Sequence, residues 1–240
     1  TLGTTAFTSS GLQNGETIGN VVLASAGSAN TTNVGTYNIT ASGAANGSFS
    51  ASNYNISYSN GTLTVNPANL TIAANSTSTQ YGLGTNLTSV GYVATGLVNN
   101  QTVGGLTLSS NGSAATANVG NYTITASNAT SGGNFSTSNY NISYVDGSLA
   151  ITQANITVAA NDQARTYGGT NPTAGTVTLT AGSLYNSDTL GNATVASTAN
   201  ATSNVGNYTL TASNQTLSSG LVGNYNISYS NGTLTVNPAN

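Results

Sequence analysis

Across residues 53–69 the chain reads NYNISYSNGTLTVNPAN, with its large side chains on alternate positions. Tyr54, Ile56 and Tyr58 alternate with Asn55 and Ser57, and Leu63 and Val65 alternate with Thr62 and Thr64. A period of two is the mark of strands with one buried face. Asn60-Gly61 separates the two runs, and such a dipeptide tolerates the positive φ values of a type I′ turn, so the pattern predicts a β-hairpin. Pro67 cannot donate to a ladder and should end the second strand. Similar apolar runs predict strands over NLTIAA (69–74), VGYVATGLV (90–98), GGLTLSS (104–110), NYTITAS (121–127), NITVAA (155–160) and TVTLTAGSLY (176–185). No helical period follows a capping box anywhere.

The opening phrase returns unchanged at 224–240 and in a looser form, NYNISYVDGSLAITQAN, at 139–155. From Tyr54 to Tyr140 is 86 residues, and from Tyr140 to Tyr225 is 85. NVGTYNITAS at Asn33, NVGNYTITAS at Asn118 and NVGNYTLTAS at Asn204 keep the same step, as do Tyr81-Gly82 and Tyr167-Gly168. One coil of a β-helix needs only roughly 20 residues or fewer, so the step describes whole domains in tandem. The expected units are 1–67, 68–153 and 154–240, the last reaching the start of a further repeat. Phe7 aligns with Tyr92, so the first unit is expected to lack its first strand, the equivalents of Leu70 to Thr85, and the chain reads as an excerpt of a longer protein. Its uncovered edge at Thr1 is expected to be completed by the preceding unit or chain, because an open strand edge invites pairing. Six or seven short, regularly spaced strands per unit imply an all-β fold, a tandem array of small Ig-like β-sandwich domains of about 86 residues. The linker NPAN is too short for free swivelling, so the units, each roughly 30 Å across, should form a semi-rigid row.

Composition narrows the chemistry. Charged residues make up 2% of the chain, against about 25% in ordinary domains, and Lys, His, Cys, Met and Trp are absent. The hydrophobic fraction of 37% is regularly placed, which separates the chain from disordered sequences. Without Cys there are no disulfides, and without Lys no Lys–Asn cross-link. Glu16, Asp146, Asp162 and Asp188 read as scattered over non-equivalent places in the repeats, so neither a calcium cage nor a pair of catalytic carboxylates is expected. One Arg cannot neutralise a nucleic acid backbone. The longest apolar runs, such as VVLA at 21–24, fall far short of the roughly 20 residues of a membrane span. No cofactor is expected.

The combination of LTIAA, a Tyr-Gly turn, NVGNYTITAS and NYNISYSNGTLTV resembles the MBG-type repeat of the Tyr-Gly variety and is similar to the YDG repeat. The resemblance covers nearly the whole chain. It departs from the family in its low charge and in the absence of the Tyr-Gly turn from the first copy. Such repeats stand in tandem in large bacterial haemagglutinin-like surface adhesins. The resemblance therefore implies extracellular display and attachment, with no catalytic residues to carry over.

Remaining candidates are read against simpler roles. Arg165 beside Asp162 is expected to be an exposed, solvated contact worth under about 1 kcal/mol. Tyr54, Tyr58, Tyr140, Tyr144, Tyr225 and Tyr229 are expected to fill the sandwich core, with a sugar-stacking platform as the alternative. The Thr-x-Thr run at 176–180 is too short for an ice-binding face. N-glycosylation is expected, because 21 of the 36 Asn stand in Asn-x-Ser/Thr where roughly eleven would fall by chance. The sites are Asn38, Asn46, Asn55, Asn60, Asn100, Asn111, Asn121, Asn141, Asn192, Asn200, Asn207 and Asn226, of which Asn46, Asn100, Asn111, Asn192 and Asn200 are expected in loops and turns. Two functions follow: a stalk or filament shaft whose partners are neighbouring repeats or identical subunits along a fibre, or repeats that themselves bind glycans, a host surface or a biofilm.

Overall fold

The computed structural model describes residues 2–239; the edge expected at Thr1 and the terminal Asn240 lie outside them. Among the described residues strands are joined by turns and by five three-residue 3-10 turns, with no α-helix, as the alternation predicts. Two compact units form: Thr1–Ile72 with Ala94–Thr107 and Ser127–Tyr144, and Ala73–Val93 with Leu108–Ala126 and Val145–Asn240.

In the first unit Ile18–Ala24, Gly35–Gly47 and Gly61–Val65 form one antiparallel sheet, with Tyr37 opposite Leu63. Val21 is buried on its inner face. A sheet of the second repeat has the order Tyr92–Thr95, Ala68–Ala74, Tyr140–Val145. Residues 6–10 and 54–60 belong to no strand.

The second unit holds the third repeat, which adds a small two-stranded sheet, Thr189–Leu190 with Leu217–Ser219, to two main ones. One has the order Val177–Ala181, Ala154–Ala160, Tyr225–Ser230; the other runs Gln163–Thr166, Gly232–Asn237, Gly206–Ser213, Ala193–Ser197, Ala174–Gly175. Their inward residues, among them Ala160, Val195, Leu210 and Leu234, make one apolar cluster. Ile156, Val158 and Val236 are also buried. Each large aliphatic side chain so placed contributes roughly 1.5–3 kcal/mol. The second repeat also holds the sheet Thr77–Gln80, Gly147–Thr152, Gly120–Thr130, Gly105–Ser109.

The recurring phrase is not a hairpin. Tyr225–Ser230 pairs in parallel with Ala154–Ala160, while Gly232–Asn237 pairs in the other sheet, antiparallel to Gly206–Ser213 and parallel to Gln163–Thr166. Asn231-Gly232 therefore carries the chain from one sheet to the other, and neither residue takes a positive φ; nor do Asn60-Gly61 or Asp146-Gly147. Close approach is the reason for glycine here. A Cβ on Gly232 would lie 2.2 Å from the Ala160 carbonyl oxygen, and one on Gly147 2.5 Å from that of Asn75. The sheets mix parallel and antiparallel pairs within the all-β tandem fold that the alternation predicts. Thr77–Gln80 and Gln163–Thr166 are among the strands that escaped the sequence pattern, because TSTQ and QART carry no apolar alternation.

Candidate inter-repeat joints

The positive φ values that type I′ turns require occur elsewhere, at Asn14-Gly15, Asn99-Asn100 and Asn186-Ser187. Each pair is closed by an i to i+3 backbone bond: Glu16 N–H to Gln13 O at 3.0 Å, Gln101 N–H to Val98 O at 3.1 Å, Asp188 N–H to Tyr185 O at 2.8 Å. A tyrosine hydroxyl fastens each turn. Those of Tyr54, Tyr140 and Tyr225 accept the N–H of Gln13, Val98 and Tyr185, and donate to Glu16, Gln101 and Asp188. Glu16 and Asp188 are thus equivalent positions with Gln101 between them, which corrects the expectation that the carboxylates are unrelated. Insertions inside the repeats, which make the steps uneven, hid the match. Burial is the main cause raising the Tyr225 phenol above its ordinary value; the Tyr185 N–H opposes it and the Asp188 carboxylate adds to it. The Tyr54 phenol is also raised, chiefly by its hydrogen bond to Glu16.

These turns meet the neighbouring repeat. In the first unit Asn139 Oδ1 accepts the N–H of Val34 at 2.9 Å, its Nδ2 donates to Asn33 Oδ1 at 2.9 Å, and Asn99 Nδ2 donates to the Asn30 carbonyl at 3.0 Å. In the second unit the same three bonds recur one step on: Asn224 Oδ1 with Val119 N–H at 3.0 Å, Asn224 Nδ2 with Asn118 Oδ1 at 2.9 Å, and Asn186 Nδ2 with the Ala115 carbonyl at 3.0 Å. The NVG turn itself is held rigid, since Tyr37, Tyr122 and Tyr208 each donate to the carbonyl four residues upstream, at Asn33, Asn118 and Asn204.

The second joint has a further part. Tyr81 is buried, donates to Asp188 Oδ2 at 3.0 Å, and meets Tyr225 and Tyr185 edge-on with ring centroids 5.5 and 6.3 Å away. Gly82 follows at φ +89°, and a Cβ there would lie 2.0 Å from Tyr185 Cγ. Both the backbone and the aromatic ring therefore demand glycine after this tyrosine. The equivalent Tyr167 is 44% exposed, and nothing lies within 4 Å of a Cβ on Gly168.

The family model for the MBG domain (YGX type) matches residues 2–64, 70–150 and 156–235. The chain belongs to the MBG family. No curated protein matches it in sequence. In this array of MBG repeats the Tyr-Gly pair at 81–82 seats one repeat on the next.

Other predicted sites are placed as follows. Only some of the six tyrosines fill the MBG core. Tyr140 and Tyr225 are buried and Tyr54 is half-buried, but Tyr58, Tyr144 and Tyr229 are 42, 40 and 40% exposed. These three sit at the rim, where each hydroxyl accepts the N–H of Ala44, Ala129 or Gln215 at 2.9–3.0 Å. Each of those amides follows a residue in left-handed conformation, Gly43, Asn128 or Asn214. Arg165 is not an exposed partner of Asp162. It is buried, donating to Asn171 Oδ1 at 2.7 Å and to the carbonyls of Thr166 and Asn200 at 3.1 and 2.5 Å, because the loops around it supply acceptors enough for a guanidinium. Asp162 instead accepts the Thr233 N–H at 2.7 Å, as Ser76 accepts that of Ser148 at 3.0 Å.

All twelve candidate asparagines, Asn38, Asn46, Asn55, Asn60, Asn100, Asn111, Asn121, Asn141, Asn192, Asn200, Asn207 and Asn226, are exposed. Asn46 lies at φ +58° within the strand Gly35–Gly47 rather than in a loop. It and Asn226 donate Nδ2 to Asn20 Oδ1 and Asn155 Oδ1. Among the described residues no group of three metal-ligating side chains gathers, and no helix is long and apolar enough to cross a membrane.

Proposed function

We propose that this MBG array is a stalk or filament shaft within a bacterial extracellular adhesin or surface filament, outside the cell, where it mediates display and attachment without catalysis. The observation that carries the reading is the recurrence of one polar clamp, Asn139 on Asn33-Val34 and Asn224 on Asn118-Val119. A shaft needs each unit to hold the next at a set angle, and a directional three-bond contact serves that purpose better than apolar contact does. The units of this row are 1–67, 68–153 and 154–240, and sugar on the exposed Asn-x-Ser/Thr sites hydrates a surface that lacks charge. Electron micrographs of the three-repeat chain test the idea: Asn139→Ala with Asn224→Ala should broaden the distribution of bend angles between units. An unchanged distribution refutes the clamp as the stiffening element. Intact-mass measurement on native material tests the sugars, with a ladder of hexose increments expected and the bare polypeptide mass ending that part of the reading.

A second reading makes the repeats carbohydrate- or host-surface-binding modules. It is favoured by the surroundings of the NVG strand, which differ between repeats: a 13-residue strand Gly35–Gly47 in the first, a Gly132–Phe135 bridge in the second, and a small Thr189–Leu190 with Leu217–Ser219 sheet in the third. Saturable binding on a glycan array would favour it over the shaft.

A further inference from the structure

At the second joint three tyrosines gather around one buried carboxylate. Tyr81 comes from the second repeat, and Tyr185, Tyr225 and Asp188 come from the third. The hydroxyls of Tyr81 and Tyr225 donate to the same oxygen, Asp188 Oδ2, at 3.0 and 2.7 Å, so two phenols of neighbouring repeats converge on one acceptor. Their rings stand nearly perpendicular, with centroids 5.5 Å apart. Tyr81, Tyr225 and Asp188 are 4, 3 and 8% exposed. Gly220, at φ +94°, closes over Asp188 Oδ1, where a Cβ would overlap it. Tyr185 is half-buried and lies edge-on to Tyr81 at 6.3 Å, so the cluster reaches the surface through this ring.

The corresponding turn of the second repeat has a different chemistry. Tyr140 is buried too, but its hydroxyl donates to Gln101 Oε1, an amide that takes no proton, and its ring neighbour at 5.3 Å is Phe135, which has no hydroxyl. With neither Lys nor Cys in the chain, neither a lysyl cross-link nor a disulfide can tie one repeat to the next.

We propose that Tyr81 and Tyr225 are a site of oxidative cross-linking, at which a dityrosine bond ties the second repeat covalently to the third. A phenol gives up an electron readily when its proton can leave with it, and Asp188 Oδ2 is placed to accept the proton of either ring. Each ring loses one electron and one proton, which leaves two phenoxyl radicals with spin density on the Cε carbons beside the oxygens. A bond forms between one Cε of each ring, and the hydrogens on those two carbons move to the phenol oxygens, with Asp188 as carrier. The pair has then lost two hydrogen atoms in all. Hydrogen peroxide, acting through a one-electron oxidant, takes them up as it is reduced to two molecules of water. Tyr185 is the ring through which the electrons leave. Because the two radicals are held in contact, their coupling is unimolecular and outruns pairing between separate chains in dilute solution. The site goes beyond the shaft reading, because it adds covalent chemistry to a joint described so far by its hydrogen bonds.

The test treats the whole 240-residue chain, in dilute solution, with a haem peroxidase, hydrogen peroxide and a small one-electron mediator, then maps the digest by mass spectrometry. A peptide carrying Tyr81 should appear joined to one carrying Tyr225, lighter by two hydrogen atoms, with dityrosine fluorescence and in a yield independent of protein concentration. Tyr140 should stay unlinked. Asp188→Asn keeps an acceptor for the hydroxyls but removes the base, and should slow the link by roughly a hundredfold, the low end for a positioned base. The map of the parent chain decides the matter without any variant. No link between Tyr81 and Tyr225 once the peroxide is consumed, a link from Tyr81 to Tyr185 in its place, or links confined to the exposed Tyr58, Tyr144 and Tyr229 that grow with protein concentration would each overturn the proposal. An Asp188→Asn chain that links as fast as the parent would overturn the part given to the carboxylate.

Discussion

Replacing Asn224 by alanine removes two hydrogen bonds of 3.0 and 2.9 Å from a side chain that is only 3% exposed. A neutral hydrogen bond is worth about 1 kcal/mol net, so the pair amounts to about 2 kcal/mol, with a little more if the Val119 N–H finds no water. The molecule supplies its own control. Asn53 occupies the same place before Tyr54, as the last residue of the same kind of 3-10 turn, yet its side chain makes no hydrogen bond among the described residues. Asn53→Ala should stay within roughly 0.5 kcal/mol of the parent. Native-state hydrogen exchange at the Val119 amide reads the joint directly, and 2 kcal/mol corresponds to about 30-fold faster exchange. Val34, which belongs to the other joint, should not change. If Asn53→Ala destabilises the chain as much as Asn224→Ala, the asparagine serves its own repeat and the argument for a clamp fails.

Gly82→Ala should cost about 2–3 kcal/mol in urea unfolding, combining a left-handed φ with displacement of Tyr185, whereas Gly168→Ala should cost only the backbone share of about 1 kcal/mol; equal costs would mean that Tyr185 yields freely. Because the folded Tyr225 phenol is raised above the ordinary 10.0, its contribution to stability is complete below pH 10 and is lost as pH rises further. The unfolded chain then releases a proton that the folded one keeps, at up to about 1.4 kcal/mol per pH unit. Tyr225→Phe should remove that part of the slope in chemical denaturation at pH 10–11. Leu210→Ala, at a fully buried position, should cost about 2–5 kcal/mol, and Leu83→Ala, 61% exposed, under roughly 0.5 kcal/mol by the same measurement.

Alternation located the strands well, because Leu70, Ile72, Leu149 and Leu234 are buried where period two puts them. It said nothing about partners. Within one repeat, YNISY and TLTV read equally well as a hairpin or as strands of two sheets, and only the three-dimensional approach of Gly232 to Ala160 separates the cases. Strand partners with no apolar face, such as Gln163–Thr166, left no trace in the pattern. The joints were half legible. Tyr81-Gly82 and NVG stood out as landmarks, but their use depends on Asn224 and Asp188, polar residues in a chain where Asn, Ser and Thr are everywhere. Arg165 was misread for a related reason: proximity to Asp162 in sequence suggested a pair, while its acceptors are Asn171 Oδ1 and the carbonyls of Thr166 and of Asn200, the last 35 residues away.

The parallel pairing of each repeat's first strand has a consequence for how the chain folds. Ala154 meets Tyr225, 71 residues later, so although the antiparallel partner Val177–Ala181 is made early, the strand's other edge must wait for nearly the whole repeat. At about 5–20 residues per second of synthesis that is a delay of several seconds, during which that edge of an apolar strand stays open. The segment just upstream of each first strand carries the same NYNISY spelling and is always made sooner, which looks like a trap. Parallel strands, however, need a crossover of about a dozen residues or more. Between Asn60 and Asn69 only Gly61 to Ala68 intervene, and most of those are fixed in the strand Gly61–Val65. The premature partner is out of reach in parallel register, so near-identical repeats can follow one another on a single chain without exchanging strands as they emerge.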